Sequence, residues 1–293
     1  LVEWYRDNRR KLPWRGDAGP YDGSTAGFGA AGTADGKKAN GKKRKDEGND
    51  IRSFFDASSS KKKKKTGKSK SPINQSVEDQ KEPTSGGEEL ASDAPREVTA
   101  YGVWVSEIML QQTRVEAVIP YWIKWMQSFP TVHCLANATD EEVNSHWAGL
   151  GFYRRARYLH AGAKRVVNDY NGVVPDTVEG LLKVEGIGPY TASAIASIAH
   201  AVEVPVVDGN VCRVLSRLTG IANHIKAGVL KDDLGWSLAE RIIQAKSYSG
   251  DGKIENKGYE FIGSPGEVNQ ALMELGATYC SPAGSGVEDG DPL

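Results

Sequence analysis

Two things are scarce in this 293-residue chain: cysteine and long apolar runs. Cys134, Cys212 and Cys280 are its only cysteines, odd in number and far apart. They rule against a disulfide framework and favour a reducing compartment. No stretch of 18 or more apolar residues occurs, so no membrane span is expected. No charged-then-apolar signal peptide opens the chain, although it starts at Leu1 rather than Met and a targeting signal upstream is left open. Period-two alternation is also missing, apart from Val204 to Val207. The net charge of −1 speaks neither for nor against nucleic acid, because charges of opposite sign are segregated along the chain and cancel.

The hydrophobic fraction, 39%, is an average over two kinds of sequence. Residues 16–99 are rich in Gly, Ser, Lys, Asp and Glu. Within them, Lys37 to Lys70 holds fourteen Lys/Arg against four Asp/Glu, and Gln75 to Glu97 turns acidic. Blocks of like charge with little to bury cannot offset the entropy of ordering, so 16–99 reads as disordered. The basic runs Lys42–Lys45 and Lys61–Lys65 suit a nuclear-localisation signal, with the mitochondrion as the alternative destination, or a DNA-tethering arm. A plain solvated linker explains them equally well.

From Tyr101 onward apolar residues recur at spacings of three and four in 101–127, 140–149, 155–170, 177–184, 189–201 and 210–219. A further helix is expected over 266–276, after a Gly/Ser-rich loop at 246–266. Residues 1–15 read as a short amphipathic helix ending in Leu12-Pro13-Trp14-Arg15. The fold class is therefore all-α. The expected division is a barrel over 101–201, a second helical lobe from 1–15 with 202–282, and a polar tail over 283–293.

Three features point to chemistry. Val184-Glu185-Gly186-Ile187-Gly188-Pro189-Tyr190 places two glycines and an N1 proline between helices, the first of them expected to be capped by Asp176 with Glu179 three residues on. Amides there and the helix dipole favour a phosphate, although an ordinary αα-hairpin fits the same residues. Glu107 lies on a helical face with Val103, Trp104 and Leu110, where burial would raise its pKa, unless it is simply bonded to an arginine such as Arg15. Asp208 precedes a helix, where it can act as an N-cap; accepted amides should lower its pKa. One protonated and one ionised carboxyl suit glycosidic cleavage.

Leu12 to Arg15, Tyr101 to Thr113 with its Leu110-Gln111-Gln112-Thr113, and Ile119-Pro120-Tyr121 resemble the opening of the MutY-type adenine DNA glycosylases. Trp147 to Tyr153, Arg155-Ala156-Arg157, the hairpin, Val207 to Val211 and Asn269 to Met273 continue the likeness in the same order. The resemblance spans 1–15 and 100–282 and implies a helix-hairpin-helix glycosylase with its active site in a cleft between two lobes. By position, Glu107 would protonate adenine, Asp208 would stabilise the oxocarbenium ion, and Tyr190 and Asn210 would shape the transition state. Trp14, Arg15, Leu110 and Gln270 would line a pocket for the flipped base. Gln112, Thr113 and Tyr153 would meet the opposing 8-oxoguanine, with Tyr153 as a wedge, although its neighbours alone suggest a packed aromatic. Gly186 and Gly188 would hold phosphate. Tyr190 stands where bifunctional relatives carry a lysine, which implies a monofunctional enzyme. The implied partner is double-stranded DNA with adenine opposite 8-oxoguanine or guanine, bound by a monomer and with no membrane involved.

The chain departs from this family in two places. About 85 residues separate Arg15 from Tyr101, where the family needs only a few. Of the four clustered cysteines expected to hold a 4Fe–4S cluster, Cys280 alone is matched, so the chain reads as cut inside that motif, without the family's Nudix-like domain, and is not expected to bind the cluster. The alternatives are another mismatch glycosylase of the same superfamily, or a DNA-binding fragment of weak activity.

Overall fold

A computed structural model describes residues 1–21, 97–221, 230–231, 233–244, 247–248, 254–255 and 263–281. Most of the segment read as disordered, and the tail, lie outside the described residues.

The architecture is helical. Helix α1 (Val2–Asn8) and a 3-10 turn (Pro13–Arg15) precede α2 (Ala100–Leu110), α3 (Val115–Ser128), α4 (Val132–Asn137), α5 (Asp140–Trp147) and α6 (Arg154–Tyr170). Then come α7 (Val178–Leu181), α8 (Pro189–His200), α9 (Gly209–Thr219), α10 (Asp233–Ile243) and α11 (Pro265–Ala277). A two-residue antiparallel ladder, β1 (Ser247–Tyr248) with β2 (Ile254–Glu255), lies inside the stretch read as a loop.

Helix α2 is the axis of the larger core. Thr99 caps it, accepting from Gly102 N at 3.0 Å. Every residue from Tyr101 to Met109 is buried, as expected of a helix enclosed on all sides. Helices α3, α6 and α8 and the 3-10 turn all pack against it. Trp125 stands edge-on to Trp147 at 5.5 Å and to Phe129 at 4.9 Å, an arrangement that aromatic quadrupoles favour. In α6 the buried Ala156, Leu159, Ala163 and Val166 repeat at three and four, and Asn171 ends the helix in the left-handed region.

A second hydrophobic cluster gathers Val211, Cys212, Val214 and Leu215 of α9, Ala239 and Ile243 of α10, and Val268, Leu272 and Leu275 of α11. Residues 1–15 divide between the two. Val2 belongs to the second cluster, Leu12 and Trp14 to the first. The N-terminal segment therefore straps one core to the other.

Several boundaries differ from those expected. The single run over 101–127 breaks at Gln111–Arg114, where Gln112 is left-handed (φ 56°). Helix α7 is capped by Thr177, which accepts from Gly180 N, and not by Asp176. Residues 204–207 form no ladder; Asn269, fully buried, takes over the pairing, accepting from Val206 N at 3.1 Å and donating to Val204 O at 2.9 Å. Helices α4 and α10 were not anticipated.

Candidate active site

Glu107 projects from the next-to-last turn of α2, Tyr190 from the first turn of α8, and Asp208 caps α9. Close packing brings the elements together. Glycine at 276 lets α11 approach the start of α9 so closely that a side chain would collide with the Asn210 backbone. The Tyr190 hydroxyl lies within hydrogen-bonding reach of the Glu107 carboxyl and 3.5 Å from Met273 Sδ. Asp208 is near enough for its charge to act on both Glu107 and Tyr190.

The two carboxyls differ in how they are held. Asp208 Oδ1 accepts from Val211 N at 2.8 Å, and Oδ2 from Asn210 Nδ2 at 2.6 Å. Arg213 in turn bonds Asn210 Oδ1, Gly276 O at 2.8 Å and Cys280 O at 2.7 Å. Glu107 is 8% exposed and has a neutral hydroxyl for its hydrogen-bonding partner. Burial pushes its carboxyl up to about 7, aided by the charge of Asp208 and opposed by the Tyr190 hydrogen bond and Arg15. Burial also raises Asp208 above its ordinary value, against the amides of Val211 and Asn210 and the charge of Arg213. The expectation of a depressed Asp208 is thus corrected: desolvation outweighs the amides. The contrast in hydrogen bonding still favours Asp208 as the anion and Glu107 as the acid of the pair.

Arg15 is not the partner of Glu107. Its guanidinium pairs with Glu274 at 2.9 Å, and Arg10 joins the same carboxylate at 2.7 Å. Tyr5 lies below, with the Arg15 cation 5.4 Å from its ring, and its hydroxyl donates to Gln270 Oε1 at 3.1 Å. Arg15 and Gln270 therefore converge on Tyr5. Trp14 is buried, edge-on to Trp122 at 6.1 Å, and Leu110 packs partly buried on the same cluster.

In the hairpin, Gly186 is left-handed (φ 81°), and a Cβ there would sit 2.6 Å from Tyr158 Cβ. Gly188 caps α8, half-buried, with no atom within 4 Å of where a Cβ would stand. Gln112 is exposed, and Thr113 Oγ1 lies 3.3 Å from Gln111 O. Tyr153 is 45% exposed and Phe152, which the sequence reading did not single out, 61%. Also missed were Glu274, Tyr5 and Arg155. A glutamate in an otherwise mixed helix gives no sign of burial, but its spacing from Gln270 (i, i+4) sets both on one helical face.

Cys280 and Cys212 are buried in the second cluster, with Cys212 Sγ 3.4 Å from the Leu230 carbonyl, whereas Cys134 is exposed on α4. Among the described residues no three His, Cys, Asp or Glu side chains gather into a metal-binding group. Three cysteines so placed do not fit a cluster that takes four thiolates. Among the described residues no helix is long and apolar enough to cross a membrane.

Residues 105–236 match the HhH-GPD superfamily of base excision DNA repair proteins. The chain is 44% identical over 209 residues to the adenine DNA glycosylase of Arabidopsis thaliana, covering 65% of this chain and 30% of that protein. It is 46% identical over 184 residues to the human adenine DNA glycosylase, covering 62% and 30%. The chain thus spans about 30% of the length of these relatives. A thermostable thymine-DNA glycosylase shares the fold, with a TM-score of 0.52 at 24% identity over 63% of this chain and 77% of that one.

Proposed function

We propose, from the match of residues 105–236 to the HhH-GPD superfamily of base excision DNA repair proteins, that this chain is the catalytic core of a monofunctional adenine DNA glycosylase. The observation that carries the reading is the convergence of a buried, protonatable Glu107 on Tyr190 and the hydrogen-bonded Asp208. The two hydrophobic clusters would be the two lobes, with these residues between them.

In the proposed reaction, double-stranded DNA with adenine opposite 8-oxoguanine or guanine presents the adenine extrahelically. Glu107 gives its proton to the base, and the sugar C1′–N bond breaks with its electron pair leaving on the adenine. Asp208 stabilises the positive charge on the sugar, and Asn210 and Arg213 keep its carboxylate oriented. Water adds at C1′, and its proton returns to Glu107. Trp14, Arg15, Leu110 and Gln270 would surround the base, the Arg15 and Gln270 side chains being fixed beforehand by Glu274 and Tyr5. Gly188 would offer its amide, at the start of α8, to a phosphate. Gln112, Thr113 and Tyr153 would face the opposing base.

Incubation with a duplex holding adenine opposite 8-oxoguanine should release free adenine and leave an abasic site that breaks only in alkali. Strand scission without alkali would overturn the monofunctional assignment, since no lysine stands at position 190. No release of adenine would overturn the activity.

No step of this reaction is routed through an iron–sulfur cluster. The family resemblance implies one, but the cysteines present do not assemble its ligand set. Anaerobic reconstitution of the 293-residue chain should leave it without stoichiometric iron and sulfide; about four irons per chain would refute this. The proposed location is the nucleus, with the mitochondrion as alternative. Replacing Lys42–Lys45 and Lys61–Lys65 by glutamine in a fluorescent fusion should abolish nuclear accumulation.

A further inference from the structure

Arg155 is buried, 8% exposed, and forms no ion pair among the described residues. Desolvation lowers its pKa to about 10, which leaves it a cation at neutral pH. Oxygen dipoles stand in for the missing anion. Nη1 donates to the carbonyls of Ile108 (3.0 Å), Met109 (2.7 Å) and Gln111 (2.6 Å) at the end of α2. Nη2 reaches Thr113 Oγ1 (3.2 Å) and the carbonyls of Leu150 (3.3 Å) and Gly151 (3.2 Å). A helix C-terminus offers unpaired carbonyls and partial negative charge, so it is a natural seat for a cation. The rings of Trp147 and Phe152 lie 5.3 and 5.5 Å from the guanidinium carbon.

The two segments gripped in this way are both strained. Gln112 and Phe152 are left-handed without being glycine, at φ 56° and 48°. That conformation costs roughly 1–2 kcal/mol per residue and persists only where surroundings over-determine it. Arg155 supplies the restraint, bonding residues on both sides of Gln112 and the two residues just before Phe152. One planar fork thus fixes two turns that are about 40 residues apart in sequence.

We propose that Arg155 is a positioning residue that joins 111–113 and 150–153 into one DNA-facing edge, and so sets discrimination of the base opposite the excised adenine. This rests on the glycosylase reading, which assigns Gln112, Thr113 and Tyr153 to the opposing base. An ammonium has three donors on one atom and cannot span both turns.

The test measures single-turnover adenine release by the wild-type chain, Arg155→Lys and Arg155→Met. Adenine is placed opposite 8-oxoguanine in one duplex and opposite a tetrahydrofuran abasic analogue in the other. The ratio of the two rates should fall at least tenfold in Arg155→Lys, with helical circular dichroism retained, and as far in Arg155→Met. If the methionine variant does not fold, the lysine variant carries the test alone. A ratio unchanged from wild type, whether both rates fall together or neither falls, would overturn the proposal. Absence of adenine release by the wild-type chain from either duplex would instead overturn the glycosylase reading, and this inference with it.

Discussion

The surroundings of Glu107 and those of Glu274 place the same side chain out of water and drive it in opposite directions. Around Glu107 burial dominates: its hydrogen-bonding partner is the neutral Tyr190 hydroxyl, the nearby Asp208 adds like charge, and the carboxyl rises to about 7. Around Glu274 burial also raises the pKa, but Arg15 and Arg10 outweigh it, and the carboxyl falls to about 2. The first arrangement keeps a proton available near neutrality; the second makes a fixed anion that anchors the N-terminal strap. Burial alone therefore does not decide whether a glutamate is an acid or a strut. The presence of paired cations does.

The signs of the pH effects follow. Glu274 is depressed in the folded state, so its stabilisation is present above about 4.5 and is lost as pH falls through 2. Glu107 is raised, so its contribution is present below about 4.5 and is lost as pH rises through 7. Each amounts to about 3 kcal/mol, an order-of-magnitude figure.

The largest effect expected is on chemistry. Glu107→Gln should reduce single-turnover adenine release by roughly 10²–10⁴-fold, the range of a general acid, while duplex affinity stays within about tenfold. Its melting temperature at pH 8 should rise, because the penalty for an ionised buried carboxyl disappears. Wild-type release should decline as pH rises through about 7. Release within tenfold of wild type would remove Glu107 as the acid and end the contrast.

Glu274→Gln should do the reverse. Breaking a buried ion pair strands its cations, here Arg10 and Arg15, at a cost of about 3–5 kcal/mol. Thermal melts at pH 7 should show the loss, and the stability difference from wild type should shrink as pH falls toward 2. A melting temperature unchanged at pH 7 would show that the strap is held by its apolar residues, Val2, Leu12 and Trp14.

Much of this was legible beforehand because helical periodicity is local. Glu107 announced itself by its apolar neighbours Val103, Trp104 and Leu110, and the hairpin by its two glycines. Helix α4 has six residues, too few for a period to register, and α10 contains Gly235, which interrupts its pattern. The clasp on Glu274 was illegible for a different reason. Its partners are more than 250 residues away in sequence, so nothing near position 274 marks it as buried. Arg155 was quoted within a motif, but its four contacts with oxygens of residues 108–113, more than 40 positions away, leave no trace in its neighbours. Asp208 was misjudged because capping amides can be counted from sequence, whereas the desolvation that opposes them depends on packing from α8 and α11.

The smallest expected effect sharpens the comparison at a single hydroxyl. Tyr190 stands half-buried beside Glu107 and Asp208, and desolvation together with both charges holds its phenol well above 10, so it remains a donor throughout the working pH range. Its hydrogen bond lowers the Glu107 pKa by stabilising the ionised form. Tyr190→Phe removes that donor and leaves the ring. Ionised Glu107 then loses a hydrogen bond while neutral Glu107 loses less, so the acid stays protonated to higher pH. The alkaline limb of adenine release should move upward, and the ratio of variant to wild-type rate should rise between pH 7 and 9, even where the variant is slower overall. Stability should fall by about 1 kcal/mol, the usual net worth of one hydrogen bond. A limb that stays in place or moves to lower pH would mean that Glu107 takes its proton affinity from burial and Asp208 alone, and that Tyr190 acts on the substrate and not on the acid.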